Sequence, residues 1–245
     1  MMNTQKNNEI KKFSNSIREG YSKRTYKYLC RTIPWKSTIQ DEKDLIQIGI
    51  RVHMDEDDLN GQVDNTSFGE DLGESLAAGE FNHITSKLKK IKDKEVLEDL
   101  SYNSLLKLIK ELPDNFMPKY ILLPLNTKYD EQLHMEGNKR ILKYDSDGLS
   151  LNIHGFKIKV IWSTNARPFD EIYLLAEGAI DLLYKDNLNM NKQTGFLDYN
   201  YEFDHESSPV SIKYKQLENG KIDIYARVVC LALIKSQKAR RYTIK

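Results

Sequence analysis

Five histidines, thirty-six acidic side chains and a lysine-rich first forty residues are what this 245-residue chain offers as chemistry. His53, His83, His134, His154 and His205 stand apart, and none sits at zinc-ligand spacing from another His or from Cys30 or Cys230. They are read as surface or turn residues. There is no nucleophile elbow, phosphate loop or dinucleotide fingerprint. Glu56, Asp58 and Asn60 alternate before Gly61, with Asp64 beyond, as oxygens do in a calcium loop. The twelfth position, however, is Ser67 rather than a bidentate Glu, and a strand precedes the loop, so a solvated loop is expected. Glu202, Asp204 and Lys213 could hold magnesium as nuclease acids do, but trios of this kind arise by chance among so many carboxylates. No catalytic residue, metal or cofactor is assigned, and the chain is expected not to be an enzyme.

The strongest candidate for a contact site is cationic. Lys11, Lys12, Arg18, Lys23, Arg24, Lys27 and Arg31 interleave with Tyr21, Tyr26 and Tyr28. Lysine and arginine neutralise phosphates and tyrosines stack on unpaired bases, so this segment is the candidate nucleic-acid contact. The competing reading is an amphipathic helix whose tyrosines pack on the body. Residues 1–40 carry nine Lys or Arg against two acids, a net +7, whereas residues 41–80 carry two against twelve, a net −10. After Asp223 no acid follows, only Arg227, Lys235, Lys238, Arg240, Arg241 and Lys245 among charged residues. Segregated charge of this kind marks either arms that touch a charged partner or solvated surfaces that pair with each other. With no apolar leader, no membrane-length apolar run and no disulfide framework, a soluble protein of a reducing compartment is expected.

Periodicity supplies the elements around these residues. Ile10, Phe13, Ile17 and Tyr21 predict a helix over about Asn8–Leu29, weakened at Gly20. Ile46, Ile48, Ile50, Val52 and Met54 alternate as a half-buried strand. Residues 62–75, with Gly69 and Gly73, read as a mobile loop. Ile84, Leu88 and Ile91 predict a helix over about Glu80–Leu100, and Ser101 caps a second one over Tyr102–Leu112 before Pro113. Tyr120–Leu123 is a short buried strand, and Asn126 could cap a short helix ending near Gly137. His154-Gly155 turns one strand into the next, and Glu177-Gly178 is flanked by two more in the same way. Asn219-Gly220 between alternating runs predicts a hairpin whose second strand extends to Ile234, long enough to cross between layers or subdomains.

The order Pro118–Leu125, Gly148–Leu151, Gly155–Val160, Glu171–Leu182, Ser211–Lys215, Asn219-Gly220 and Ile222–Ile234 resembles the major capsid proteins of tailed phages and the encapsulin shell proteins. The resemblance spans about residues 102–245 and rests on order and hydrophobic pattern. It implies an α+β coat-protein-like fold, with mixed sheets and a long C-terminal strand. The expected divisions are a basic N-terminal arm at 1–40, a strand and acidic extended loop at 41–79, and a coat-like body at 80–245. Asp44–Met54 would form one side of the family's hairpin, although no return strand follows Gly61, and Glu80–Leu100 would be the spine helix. By the same resemblance the function would be structural, a major capsid subunit or an encapsulin-like compartment. Its partners would be copies of itself, with packaged nucleic acid or protein cargo and no membrane, in a virion or the cytoplasm. A nucleic-acid-binding or metal-dependent nuclease protein is the alternative.

Overall fold

The computed structural model describes residues 2–23, 26–34, 44–55, 58, 65–92, 94–124, 135–136, 139–140, 142–146, 148–164, 169–184, 200–202, 209–217 and 220–244. In chain order the elements are α1 (Met2–Ser22), β1 (Cys30–Pro34), β2 (Ile46–Asp55), α2 (Asn65–Leu88), β3 (Lys94–Leu97), α3 (Tyr102–Lys110) and β4 (Pro118–Leu123). Then come β5 (Met135–Glu136), β6 (Lys139–Arg140), β7 (Leu142–Asp145), β8 (Gly148–Ile153), β9 (Phe156–Trp162), β10 (Ile172–Ala176) and β11 (Ile180–Tyr184). The last are β12 (Asn200–Glu202), β13 (Ser211–Gln216), β14 (Lys221–Ile234) and β15 (Ala239–Ile244). The chain divides into two compact units. One comprises Met1–Thr25, Thr32–Phe81 and Leu183–Leu231, the other Tyr26–Arg31, Asn82–Leu182 and Ala232–Lys245.

In the first unit, α1 buries Ile10, Phe13, Ile17 and Tyr21, the stripe its spacing predicts. The segment expected to be a loop at 62–75 is helical from Asn65 onward. Its glycines are contact points rather than breaks. A methyl group on Gly69 would overlap Ser16, one on Gly73 would overlap the Ile17 carbonyl, and one on Gly20 would overlap the Glu70 carbonyl. Two helix backbones approach closely there, and that packing offsets the roughly 1 kcal/mol each glycine costs a helix. Gly20 therefore does not interrupt α1. Strand β2 pairs antiparallel with β14 over ten positions, from Ile46 opposite Cys230 to Asp55 opposite Lys221. Its partner among the described residues is thus the C-terminal strand, and residues 59–64, where a return strand of a hairpin would lie, are outside the described residues. Strand β13 pairs with β14 from Ser211 opposite Arg227 to Gln216 opposite Ile222, as the Asn219-Gly220 signal predicts. β14 runs for 14 residues, and the boundary between the units falls inside it after Leu231.

The second unit holds a seven-stranded sheet in the order β3-β15-β10-β4-β9-β8-β7. Leu105, Leu108 and Ile109 of α3 join Ile121, Leu123, Leu151, Ile153, Ile158, Val160, Ile172 and Leu174 in one apolar cluster. Ser101 caps α3, accepting from the Ser104 amide at 3.3 Å, as read from the sequence. The helix expected to run through Leu100 stops at Leu88. Arg241 donates Nη1 to the carbonyls of Lys89 (2.6 Å) and Ile91 (3.2 Å), satisfying acceptors at that helix end, and the chain enters β3 parallel to β15. Strands β8 and β9 form the predicted hairpin: Ile153 faces Phe156 across His154 (φ 50°) and Gly155 (φ 84°), as a two-residue primed turn requires. The strands on either side of Glu177-Gly178 are β10 and β11, but they enter different sheets instead of pairing with each other. The short helix expected after Asn126 lies outside the described residues, apart from its end, where Met135–Glu136 is strand.

Candidate functional site

The seven N-terminal cations fall into two sets. Lys11, Lys12, Arg18 and Lys23 belong to the first unit, Lys27 and Arg31 to the second, and Arg24 lies outside the described residues. Several are already engaged. Lys12 pairs with Glu9 at 2.7 Å, one turn away. Lys23 pairs with Glu70, tying the end of α1 to α2. Arg18 donates Nη1 to Asn15 at 3.2 Å, and its Nε is buried without a hydrogen-bond partner. Arg31 grips Asp181 with Nε at 3.0 Å and Nη2 at 3.1 Å. Lys235 joins the same carboxylate at 2.9 Å. Burial would push the Asp181 carboxyl up, but donors from Arg31 and Lys235 hold it below the usual range. Lys11 and Lys27 remain exposed and form no ion pair with a described carboxylate. Of the tyrosines, Tyr21 and Tyr26 are buried, and Tyr28 is 59% exposed.

Tyr28 meets a second group of cations that clustering along the N-terminal segment does not reveal. On the sheet face away from α3, Tyr120, Lys159, Ser150 and Lys143 stand in register across β4, β9, β8 and β7. Lys157 lies two residues from Lys159 and so on the same face. A cavity of about 350 Å³ opens there, lined by Tyr28, Lys119, Tyr120, Ser150, Lys157 and Lys159 among others. Lys159 Nζ sits 4.6 Å from the Tyr28 ring centre and Lys27 Nζ 5.4 Å from it. The available sequence signal is the alternation Phe156-Lys157-Ile158-Lys159-Val160, which marks a strand with one cationic face. Nothing local connects that strand to Tyr28.

The other candidate chemistry is not assembled among the described residues. No group of three His, Cys, Asp or Glu side chains suited to a metal occurs there. Of the nuclease trio, Asp204 lies outside the described residues and Lys213 is only 1% exposed. Of the calcium-loop ligands, only Asp58 is described, and it is exposed. The buried polar groups of the second unit act as ties. Glu171 receives Arg241 (2.8 and 2.7 Å) and the Tyr173 hydroxyl (2.8 Å). Burial pushes the Glu171 carboxyl up, and these donors more than reverse it. No described helix is long and apolar enough to cross a membrane.

No protein-family model matches the sequence, and no curated protein matches it. Solved structures do match. The subunit of a virus-like particle from Pyrococcus furiosus is 9% identical, with 95% of this chain and 98% of that one aligned at a TM-score of 0.59. The holo-SrpI encapsulin complex of Synechococcus elongatus PCC 7942 is 12% identical, with 81% and 73% aligned at 0.58. A structure from Mycobacterium phage Che8 is 13% identical, with 80% and 70% aligned at 0.52. At such identities the common property is the fold. This chain has the α+β coat-protein fold of encapsulins and tailed-phage capsids. The likeness includes the first hundred residues, beyond the stretch from 102 onward on which the sequence pattern rests.

Proposed function

We propose that the chain is the subunit of a self-assembling protein shell, a large homo-oligomer. The observation that carries this reading is the agreement of fold over 95% of the chain with a particle-forming subunit of nearly equal extent. A shell subunit needs complementary surfaces repeated by symmetry, and the chain's charge segregation, +7 then −10, supplies surfaces of opposite sign. Light scattering and negative-stain microscopy of purified protein across a salt series test it. Closed shells or curved sheets are expected, and a monomer or small fixed oligomer at every salt concentration would overturn it.

For the contents we favour nucleic acid over protein cargo, in a virion-like rather than a compartment-like shell. The exposed Lys11 and Lys27, which form no ion pair with a described carboxylate, support this, as phosphates are a natural counter-charge for them. Reversing both, K11E with K27E, is expected to lower nuclease-protected nucleic acid in purified particles while particles still form. Unchanged retention would turn attention to protein cargo.

A further inference from the structure

Strand β3 ends the seven-stranded sheet, with β15 as its one neighbour among the described residues. Its outer side is open: Lys94, Glu95 and Val96 are exposed, Val96 by 58%. An open edge presents backbone donors and acceptors that template a further strand, and soluble proteins commonly guard such edges with charge or proline. At the centre of this edge stands a β-branched apolar side chain instead. Lys94 is level with Arg241 and Val96 with Thr243. Lys94 and Arg241 both reach Glu171, at 3.5 and 2.7 Å, and so share a face of the sheet. Alternation puts Val96 on that face too, and Glu98 next beyond the strand end. Leu97 and Ile244, a level pair, pack against the α3 cluster on the other face. One face of the edge therefore reads cation, apolar, acid. Glu171 already accepts from Arg241 and Tyr173, and an ammonium carries three donors, so Lys94 has capacity left. Glu98 is exposed and forms no ion pair with a described cation.

This order is self-complementary in one register only. Two copies of a strand that pair antiparallel are related by a two-fold axis normal to the sheet, so one residue must face its own copy. With Lys94, Glu95 or Glu98 at the axis, like charges meet. With Leu97 there, Glu95 falls opposite the partner subunit's Asp99. With Val96 there, apolar meets apolar and Lys94 falls opposite the partner subunit's Glu98 on both sides of the axis. Like charges directly opposite destabilise a strand pair, and opposite charges or β-branched pairs each contribute up to about 1 kcal/mol.

We propose that β3 pairs antiparallel with β3 of a second copy of this chain, with Val96 facing Val96 across a two-fold axis and two Lys94–Glu98 pairs flanking it. The pairing involves residues 94–98 of each copy, against the roughly 20–30 residues a side of a stable interface. It acts beside other contacts, so the inference rests on the self-assembling reading and assigns one contact of the shell and its symmetry.

The test is cysteine cross-linking of the full chain with oxidised glutathione, read on non-reducing gels, beside negative-stain microscopy of the same samples. Residues directly opposite in an antiparallel pair have Cα atoms about 4.5–5.5 Å apart, inside the range a disulfide spans. Val96→Cys is expected to convert about half of the chain or more to covalent dimer. Lys94→Cys alone and Glu98→Cys alone should each give about tenfold less, and particles assembled from an equal mixture of the two should give about half the Val96→Cys yield. The unaltered chain reports the background from Cys30 and Cys230, and Met117→Cys, at a site 69% exposed, reports random collision. All four positions are exposed, so circular dichroism of the variants should match the parent. Particles in which Val96→Cys dimerises no more than Met117→Cys overturn the inference and leave the shell reading standing. Val96→Cys dimer with none from the mixture overturns the pairing as well. Dimer in both samples without particles supports the pairing and overturns the shell reading, and neither dimer nor particles overturns both.

Discussion

The two compact units are built on different principles. The second rests α3 on a sheet through one apolar cluster running from Leu105 to Leu174. The first depends on backbone proximity and buried charge. Gly20, Gly69 and Gly73 let α1 and α2 touch, Glu80 is fully buried and accepts from Tyr21, and Asp223 is fully buried and takes Arg51 at 2.7 Å. An apolar face announces itself by periodicity, whereas a glycine contact and a buried ion pair look, in sequence, like a loop and a surface. The comparison teaches that the first unit tolerates added volume worst and the second tolerates lost volume worst.

The sharpest way to break this contrast is Gly73→Leu. A side chain there meets the Ile17 carbonyl and the Tyr21 amide, backbone atoms that cannot turn aside. We expect a loss of at least about 4 kcal/mol in urea denaturation. Hydrogen exchange should rise first in the amides of α1 and the first half of α2. Next in size is Leu174→Ala, which empties part of a cluster where Leu174 is 1% exposed. It should cost about 3 kcal/mol, with faster exchange in β4, β9 and β10. If both variants raise exchange equally in both units, the distinction between the two cores fails.

What was legible follows the same division. The Ser101 cap, the His154-Gly155 turn and the long strand ending at Ile234 are local signals, and each appears in the structure. The helix through Gly69 and Gly73 was not, because its reason is α1, about fifty residues earlier. The parallel pairs β4–β9 and β3–β15 have no local signature either, since a strand's composition does not name its partner. The candidate site shows the limit most clearly. Clustering along the chain picks out Lys23 and Arg31, which the fold pairs with Glu70 and Asp181. Lys159, whose ammonium lies over the Tyr28 ring, comes from a strand that reaches Tyr28 only through tertiary structure.

A smaller effect tests whether the second unit also relies on buried ties. Glu171 accepts from Arg241 and Tyr173, and these donors hold its carboxyl below the ordinary value. A depressed acid stabilises the folded state above the ordinary carboxylate range and loses that contribution as pH falls through its folded value. Glu171→Gln should therefore cost about 2 kcal/mol at pH 7 and flatten the acid limb of the stability curve. An unchanged acid limb would mean that Glu171 adds little beyond its neighbours and that the apolar cluster alone carries the unit.

The smallest expected effect at neutral pH is also the most specific. His83 is 8% exposed and its Nε2 accepts the Ala232 amide at 3.2 Å, inside β14. Burial first, then Lys87 and Lys90, lower it to about 4. The unfolded chain takes up a proton near pH 6.5. Between that value and about 4 the unfolded state therefore holds more protons, and stability must fall as pH drops through this window. Gln in its place can still accept the Ala232 amide through its carbonyl oxygen but cannot titrate. His83→Gln should change stability by less than about 1 kcal/mol at pH 7. Its denaturation midpoint should fall less than the parent's between pH 6.5 and about 4. Parallel curves for the two proteins would mean that His83 titrates normally. His83 would then be more open to solvent than its 8% exposure and its hydrogen bond to Ala232 imply.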